Sequence, residues 1–345
     1  MPAAKSPPRA PRQSVASITT VAERAGVSIA TVSRIVNGVA KKASAETIAR
    51  VKAAIAELGY RPVSVGRALR QRQSRLVALL AANLANPAMA AIAAAAEVAL
   101  RNAGLVMVLC DTHDVPELQD EYLLEMRAQL ARSIVLLGPV ASRQLAAFRE
   151  TREPMLFVNR RCPGDGRAPF VGIDNRAAGH DVAAFFIDRA VAPVAVIHGD
   201  MTSSATADRI IAFRARMAAA GRPLRDAQVV TDSGSDHLEI GYRAMGRLLV
   251  GRERPRGLFC ASDLIAYGAA RRAREAGLAV PEDLVIVGFD DNPLNDWVAP
   301  WLTSVRVPYE RYGDAIVAAL QAAWAEAPRA ETILAHELIV RPRGG

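Results

Sequence analysis

Three patterns of apolar and polar positions follow one another along the 345 residues. Residues 18–60 place apolar side chains at helical spacing in three short segments, with no strand-like alternation. Residues 61–75 (RPVSVGRALRQRQSR) are poor in apolar side chains and contain five arginines. From residue 76 onward, short β-rich runs alternate with helical segments. The chain therefore divides into a small helical region, a linker and a large α/β region.

The β-rich runs are nearly continuous in apolar residues, and helical segments at 89–103, 177–188, 208–220 and 263–276 lie between some of them. Strands of this kind are typical of parallel sheets covered by helices on both faces. About 270 residues exceed what one such sheet usually holds, so we expect two doubly wound lobes. The runs are LVALLAA, LVMVLCD, SIVLLGP, PMLFVN, FVGID, VAVIHG, GLFCAS and LVIVGFD.

The helical region predicts three helices with recognisable ends. Thr20 and Glu23 have the spacing of a capping box in the first helix, and a second helix is expected to begin at Ser28. The third helix is predicted to start at Ser44 and to end at Gly59. Three helices of this size predict a compact all-α domain.

The first two helices have the spacing of a helix–turn–helix, with Gly26 in the turn. Val32 and Ile35 are expected to pack inward, so the second helix would present its other face to a partner. A helical hairpin within a larger core is the alternative. The residues expected to point outward are Ile29, Ala30 and Arg34.

The distribution of charge favours the helix–turn–helix interpretation, in which the partner of the second helix is DNA. The net charge is +8, yet residues 1–75 hold fourteen Lys and Arg against three acidic residues, which leaves the remainder mildly acidic. A basic N-terminal region on an acidic body indicates a polyanionic partner.

Other classes of site receive little support. Cys110, Cys162 and Cys260 are far apart, and the five histidines lack metal-ligand spacing, so we expect neither a disulfide framework, a metal site nor a cofactor. Residues 1–17 lack the apolar run of a signal peptide and predict a disordered basic arm, and no segment is long and apolar enough for a membrane span. These features predict a cytoplasmic protein without a membrane partner.

Four motifs resemble the LacI/GalR (lactose-repressor/galactose-repressor) family of bacterial transcriptional regulators: VAERAGVSIATVSRIVNG, AELGYRP, VGRAL and SDLIAYGAARRAREAGLAVPEDLVIVGFDD. The resemblance implies an α/β protein with an all-α helix–turn–helix domain (18–61), a hinge (62–75) and a two-lobed effector-binding and dimerisation domain (76–345). That last domain would resemble a periplasmic binding protein, with two doubly wound parallel sheets. A homodimer on a pseudo-palindromic double-stranded DNA operator, controlled by a small-molecule effector, is the implied assembly.

The resemblance also implies which residues contact DNA. Ile29 and Ala30 can offer only apolar contacts to base edges, whereas Arg34 can form a bidentate contact with guanine. Leu69 would wedge into the minor groove from a hinge that folds on DNA. The full set expected at DNA is Thr19, Thr20, Ser28, Ile29, Ala30, Thr31, Ser33, Arg34, Asn37, Lys41, Lys42 and Leu69.

The effector is expected at the carboxyl ends of the strands, between the two lobes. Arg209 and Asp290 match the family's effector-binding arginine and its partner carboxylate. For several of these residues, helix capping is the alternative role. The set expected at the effector is Asn86, Met89, Asn159, Arg160, Ser203, Arg209, Asp263, Asp290 and Tyr309, and Trp297 is a further aromatic wall or a core residue.

Departures from the family narrow the expected ligand. Ala88 and Met89 stand where many members have two aromatic residues, and no aromatic residue lies near Asp236 and His237. We therefore expect a sugar-like or sugar-acid effector rather than a stacked purine. Two alternatives remain open at this point. They are a periplasmic ligand-binding protein without DNA and a hydrolase-like enzyme, although G-x-S-x-G, H-E-x-x-H, P-loop and G-x-G-x-x-G motifs are absent from the sequence.

Overall fold

The computed structural model describes residues 17–36, 43–60, 74–148, 150–151, 154–234, 236–251, 253–327 and 331–341. The chain separates into two compact units, residues 1–74 and residues 75–345. Four residues expected at DNA, Asn37, Lys41, Lys42 and Leu69, lie outside the described residues.

The first unit contains three helices: α1 (Ile18–Ala25), α2 (Ile29–Val36) and α3 (Ala45–Leu58). Val21, Val32 and Val51, one from each helix, are fully buried at their common centre. Gly26 ends α1 with a φ of 65°, a left-handed conformation that glycine adopts without strain, and so turns the chain towards α2. The expected helix–turn–helix is confirmed.

The capping of α1 differs from the prediction. Ser17 is the N-cap, and its hydroxyl accepts a hydrogen bond from the Thr20 amide, while Thr20 bonds back to the Ser17 backbone. Thr20 is therefore the N3 residue of the capping box rather than its N-cap, and Glu23 has no part in it. The predicted ends of α3 are confirmed, since Ser44 and Gly59 are its caps.

The second unit begins with a lobe in which β1 (Leu76–Ala81), β2 (Val106–Asp111), β3 (Ser133–Leu137), β4 (Met155–Val158) and β5 (Phe170–Ile173) pair in parallel. The connecting helices are α4 (Pro87–Asn102), α5 (Pro116–Ala128) and α6 (Arg143–Phe148).

The chain then forms a second lobe. Its strands are β6 (Val194–Ile197), β7 (Val229–Val230), β8 (Gly257–Cys260), β9 (Val285–Asp290) and β10 (Thr303–Arg306). Its helices are α7 (Asn175–Asp188), α8 (Ser204–Ala219), α9 (His237–Leu249), α10 (Asp263–Glu275) and the short α11 (Asn295–Val298), with a 3-10 turn at Asp226–Gln228.

The C-terminal part of the chain contributes to both lobes. Helix α12 (Tyr309–Trp324) packs on α4, β11 (Glu331–Leu334) pairs with β5 of the first lobe, and β12 (Glu337–Ile339) pairs with β10 of the second. The sheet orders are β11-β5-β4-β3-β1-β2 and β12-β10-β9-β8-β6-β7. All eight strands predicted from apolar runs are present. The sequence predicts parallel sheets, but β10 and β12 pair in antiparallel orientation, so this strand pair of the second sheet differs from the prediction.

Five strands are buried along their whole lengths: β3, β4, β5, β6 and β8. Because these strands are parallel within each lobe, the loops after their carboxyl ends lead directly into helix N-termini. This geometry brings short polar N-cap residues from several helices to the cleft between the lobes.

Candidate functional site

The outer face of α2 has the exposure that the sequence predicts. Ile29, Ala30 and Arg34 are exposed, while Val32 faces inward. The Arg34 Nε donates to the Ala30 carbonyl oxygen at 3.2 Å, which lays the guanidinium along the helix surface. This exposed apolar strip with one arginine can offer methyl contacts and one bidentate contact to base edges.

The polar residues next to this strip have local roles as well. The Ser28 hydroxyl accepts from the Thr31 amide at 3.2 Å, so it caps the first turn of α2. Thr19 is exposed, and Thr31 and Ser33 are half-buried beside the outward face. An ion pair of 2.9 Å between Arg24 and Glu57 joins α1 to α3 behind it.

A second candidate site lies in the cleft between the lobes of the second unit. It encloses about 540 Å³ including its open mouth. Eight of the nine expected effector residues line it, and Asp263 does not. Its lining includes Asn86, Met89, Asn159, Arg160, Ser203, Thr206, Arg209, His237, Ser262, Asp290 and Tyr309.

Two of the lining residues expected from the sequence are helix caps, so both roles considered from the sequence apply to them. The Asn86 side chain accepts from the Ala88 amide at the start of α4, and the Ser203 hydroxyl accepts from the Thr206 amide at the start of α8. Capping fixes each side chain at the N-terminus of a helix. The same position makes each available to a ligand.

Arg209 is held rigidly beneath the cleft. Its Nε donates to Asn175 Oδ1 at 2.7 Å, its Nη1 donates to the Ala261 carbonyl oxygen at 2.9 Å, and its guanidinium lies 3.4 Å from the centre of the Phe289 ring. Burial lowers the pKa of Arg209, and the nearby Asp290 charge acts in the opposite direction. The backbone approaches closely here, because a Cβ on Gly179 of α7 would lie 2.4 Å from the Arg209 carbonyl oxygen.

Asp290 ends β9 in an unusual backbone conformation, with a φ of 115°. Such strain persists only where the surroundings hold it, and the next residue supplies the restraint. The buried Asp291 carboxylate pairs with Arg306 and Arg341, each at 2.7 Å. Burial raises the pKa of Asp290 to about 8, and the charge of Arg209 only partly opposes this.

Asp263 supports this loop from below instead of reaching the cleft. Its carboxylate accepts from the Ser304 hydroxyl at 2.6 Å and from the Asn292 amide and Asn295 side chain at 2.8 Å each. Only 1% of the residue is exposed. The expected contact between Asp263 and the effector therefore needs correction: all three bonds hold the chain that follows Asp290.

Arg160 and Asn159 follow β4 at the other side of the cleft. Arg160 Nη1 donates to Asp114 Oδ1 at 2.6 Å and to the Gly138 carbonyl oxygen at 3.4 Å. Asn159 has a φ of 65°, and its side-chain amide lies 3.9 Å from the Met89 sulfur. Tyr309 closes the site from the start of α12, where its hydroxyl donates to the Asp290 carbonyl oxygen at 2.9 Å.

His237, the first residue of α9, lines the cleft although the sequence did not single it out as a ligand contact. Its Nδ1 lies 2.9 Å from the Ser262 hydroxyl. Burial is the main cause that lowers its pKa, followed by the charge of Arg160. The signal available in the sequence was its position, immediately after the capping residue of a helix that follows a strand. Trp297, by contrast, is 84% exposed and is neither a wall of the cleft nor a core residue.

The described residues contain no group of three or more His, Cys, Asp or Glu side chains placed to bind a metal ion. Within the same residues, every helix is too short or too polar to cross a bilayer.

Comparison with known proteins joins the two candidate sites in one family. Residues 17–63 match the family described as bacterial regulatory proteins, lacI family, and residues 176–342 match the periplasmic binding protein-like domain. The HTH-type transcriptional repressor PurR of Serratia proteamaculans (strain 568) is 32% identical over 305 residues, which cover 87% of this chain and 88% of that protein. The chain belongs to the LacI/GalR family. It is accordingly a ligand-responsive, DNA-binding transcriptional repressor and not an enzyme.

Other relatives agree with this membership. The PurR repressor of Yersinia pestis bv. Antiqua (strain Antiqua) is 30% identical over 89% of each chain. A transcriptional regulator CelR in complex with cellobiose is 28% identical, with a TM-score of 0.72 over 95% of this chain and 100% of that one. The lac repressor dimer bound to operator and the anti-inducer ONPF has the same fold, with a TM-score of 0.80 at 24% identity over 95% of this chain and 98% of that one.

Proposed function

We propose that this repressor binds a pseudo-palindromic operator as a homodimer, with α2 of each subunit in the major groove of one half-site. The exposed outer face of α2, with Arg34 in its last turn, is the observation that carries the proposal. Thr19, Thr20, Ser28, Thr31 and Ser33 contact the phosphates beside it. Asn37, Lys41, Lys42 and the minor-groove wedge Leu69 complete this interface in the proposal, outside the described residues.

Dimerisation follows from the two-fold symmetry of such an operator and from an apolar surface on the second lobe. Leu294, Trp297 and Val298 are 54%, 84% and 63% exposed around α11. A cluster of this size and composition is unfavourable in water and is stabilised when a second copy of the chain covers it.

The effector binds the cleft between the lobes, in contact with Asn86, Met89, Asn159, Arg160, Ser203, Arg209, Asp290 and Tyr309. These side chains supply many hydrogen-bonding groups and few flat aromatic surfaces, which suits a hydroxyl-rich, carbohydrate-like ligand. Cellobiose in the related CelR complex is a ligand of this chemical type. A ligand that bridges the lobes changes DNA affinity when it binds one spacing of the lobes better than another. Such a protein works in the cytoplasm, where its operator is.

Substitution of Arg34 tests the DNA-binding part of the proposal. We expect Arg34→Ala to lose about 1–3 kcal/mol of discrimination between operator and unrelated DNA, because it removes a bidentate base contact. Genomic sites bound by the wild-type protein supply the operator, and competition binding measures the preference. Arg50→Ala is the matched control, since it removes the same charge from an exposed position on α3. Equal loss of preference in both variants would contradict the assignment of Arg34.

Substitution of Arg209 tests the effector part separately. Arg209→Ala is expected to leave operator binding intact and to abolish its response to the ligand, which calorimetry and DNA binding would measure on the same sample. Wild-type ligand affinity in this variant would place the effector elsewhere.

A further inference from the structure

The charges that face the cleft are unevenly balanced. Arg160 and Arg209 both line the cleft, and they are close enough for their positive charges to repel each other. In the described part of the chain, Arg209 has no carboxylate within ion-pair distance, and Arg160 pairs with Asp114 alone. Two arginines that repel one another across a cleft are stabilised by an anion between them.

Both arginines retain donors after their bonds to the protein. In the described chain, both bonds from Arg160 come from Nη1, so its Nε and Nη2 groups remain. Arg209 uses Nε and Nη1, so its Nη2 remains. Because guanidinium donors in a fixed plane match the two oxygens of a carboxylate, these groups suit that ligand chemistry.

His237 adds a third donor. The Ser262 hydroxyl oxygen accepts from the Ile265 amide at 3.3 Å and lies 2.9 Å from His237 Nδ1. When the hydroxyl proton is donated to Nδ1, the imidazole proton is on Nε2. That nitrogen would be 3.2 Å from a Cβ built on Gly199, another lining residue, so it lies at the wall of the cleft.

The N-termini of four helices also favour an anion in the cleft. The N-termini of α4, α8, α9 and α10 all meet the cleft, at Asn86, Ser203, His237 and Ser262. The positive end of each helix dipole therefore adds to the potential of the two arginines.

We propose that the effector is a small hydroxylated carboxylic acid whose carboxylate binds between Arg160, Arg209 and His237, with His237 as a specificity-determining residue. This inference rests on the proposed effector cleft and narrows its ligand. The hydroxyl groups of the acid face the amide and hydroxyl side chains of Asn86, Asn159 and Ser203. A monoanion fits better than a phosphate dianion, because Asp114 already offsets part of the charge of Arg160.

The test uses the full chain and sets of ligands with one carbon skeleton. D-Gluconate, D-glucose and D-glucose 6-phosphate form one set, and D-galacturonate, D-galactose and D-galactose 1-phosphate form the other. Thermal-shift assays at millimolar ligand and calorimetry measure binding. We expect at least one acid to bind about tenfold or more tightly than its neutral partner, the effect of one charge-assisted contact.

Arg160→Met is the diagnostic variant, and Arg161→Met is its matched control. Arg161 is the neighbouring arginine, but it pairs with Glu331 and does not line the cleft. Arg160→Met should weaken the acid about 10- to 100-fold and neutral sugars by much less, because only the acid loses a charge-assisted contact, while Arg161→Met should change neither. His237→Phe should change the ranking of the two acids, because phenylalanine keeps a ring of similar size but has no donor where Nε2 is.

Several results would overturn the inference. A neutral sugar or a sugar phosphate that binds as tightly as the acid of the same set rejects the carboxylate, and so does the failure of both acids to bind. If Arg160→Met does not fold, the salt dependence of binding by the wild-type protein serves as the test instead. The affinity of the wild-type protein for the acid must fall with ionic strength, and a flat response counts against the proposal. Operator binding of the same preparations separates the two proposals, since release of DNA by a neutral sugar leaves the proposed repressor intact.

Discussion

We expect the protonation of Asp290 to make the affinity for the proposed acidic effector depend on pH. Its pKa is raised to about 8 by burial between the lobes, with Arg209 acting against the rise and Asp263 adding to it. A neutral carboxyl group does not repel the ligand's carboxylate, whereas the ionised one does. The acid should therefore bind the protonated form of Asp290.

The size of the effect follows from the populated fraction of that form. With a pKa of about 8, roughly 90% of the protein is competent at pH 7 and roughly 10% at pH 9. Since the apparent dissociation constant is the intrinsic one divided by this fraction, the affinity for the acid falls about tenfold between these pH values. Because the pKa of Asp290 is raised, its favourable contribution to binding of the acid is present below that pKa and is lost as the pH rises through it.

Other groups that face Asp290 do not titrate in this window. Burial raises the pKa values of Tyr309 and Tyr312 above that of free tyrosine, and it lowers the pKa of His237 below 6.5. The ligand's own carboxylate is ionised throughout this range. The slope between pH 7 and pH 9 can therefore be assigned to Asp290.

Calorimetry at pH 7, 8 and 9, at constant ionic strength, measures the profile. Asp290→Asn is the control, because its amide is uncharged at every pH and should give a flat profile for the same acid. A neutral sugar is expected to show no such fall with the wild-type protein. The reasoning fails if the wild-type affinity for the acid stays level or rises with pH, or if Asp290→Asn shows the wild-type slope.

Two further predictions concern packing and assembly. Gly179→Ala should lower the stability by about 1–3 kcal/mol, because a Cβ there overpacks α7 against α8, and it should weaken effector binding by displacing Arg209. Gly166→Ala is the control for the thermal melts, since nothing lies within 4 Å of its added Cβ, and similar melts for both variants would contradict the prediction. Trp297→Glu should shift the dimer towards monomer in sedimentation experiments at several concentrations, because it places a charge in the apolar surface around α11. Val250→Glu, at a residue 85% exposed elsewhere on the second lobe, should not, and an unchanged dimer in Trp297→Glu would exclude that surface.

Much of the fold could be predicted because its signals are local. Ser44 and Gly59 set the ends of α3 through their own hydrogen bonds and backbone conformation, and the apolar runs specify strands whose two faces are covered. The outward face of α2 was also predictable, because helical periodicity alone separates Arg34 from Val32. Polar residues at strand ends indicated the cleft for the same reason, since parallel connectivity places all of them at one edge.

The tertiary structure decided which of those polar residues face the cleft. Asp263 and Asp290 both follow buried strands, yet Asp263 turns inward to Ser304 and Asn292 while Asp290 reaches the cleft. That difference depends on β10 and the loop after β9, which are distant from Asp263 in sequence. His237 likewise becomes a wall of the site only because α9 starts beside Ser262. The sequence by itself determined the elements and the edge at which they converge, because caps, periodicity and burial act over a few residues, whereas the direction of each side chain at that edge depends on contacts between distant segments.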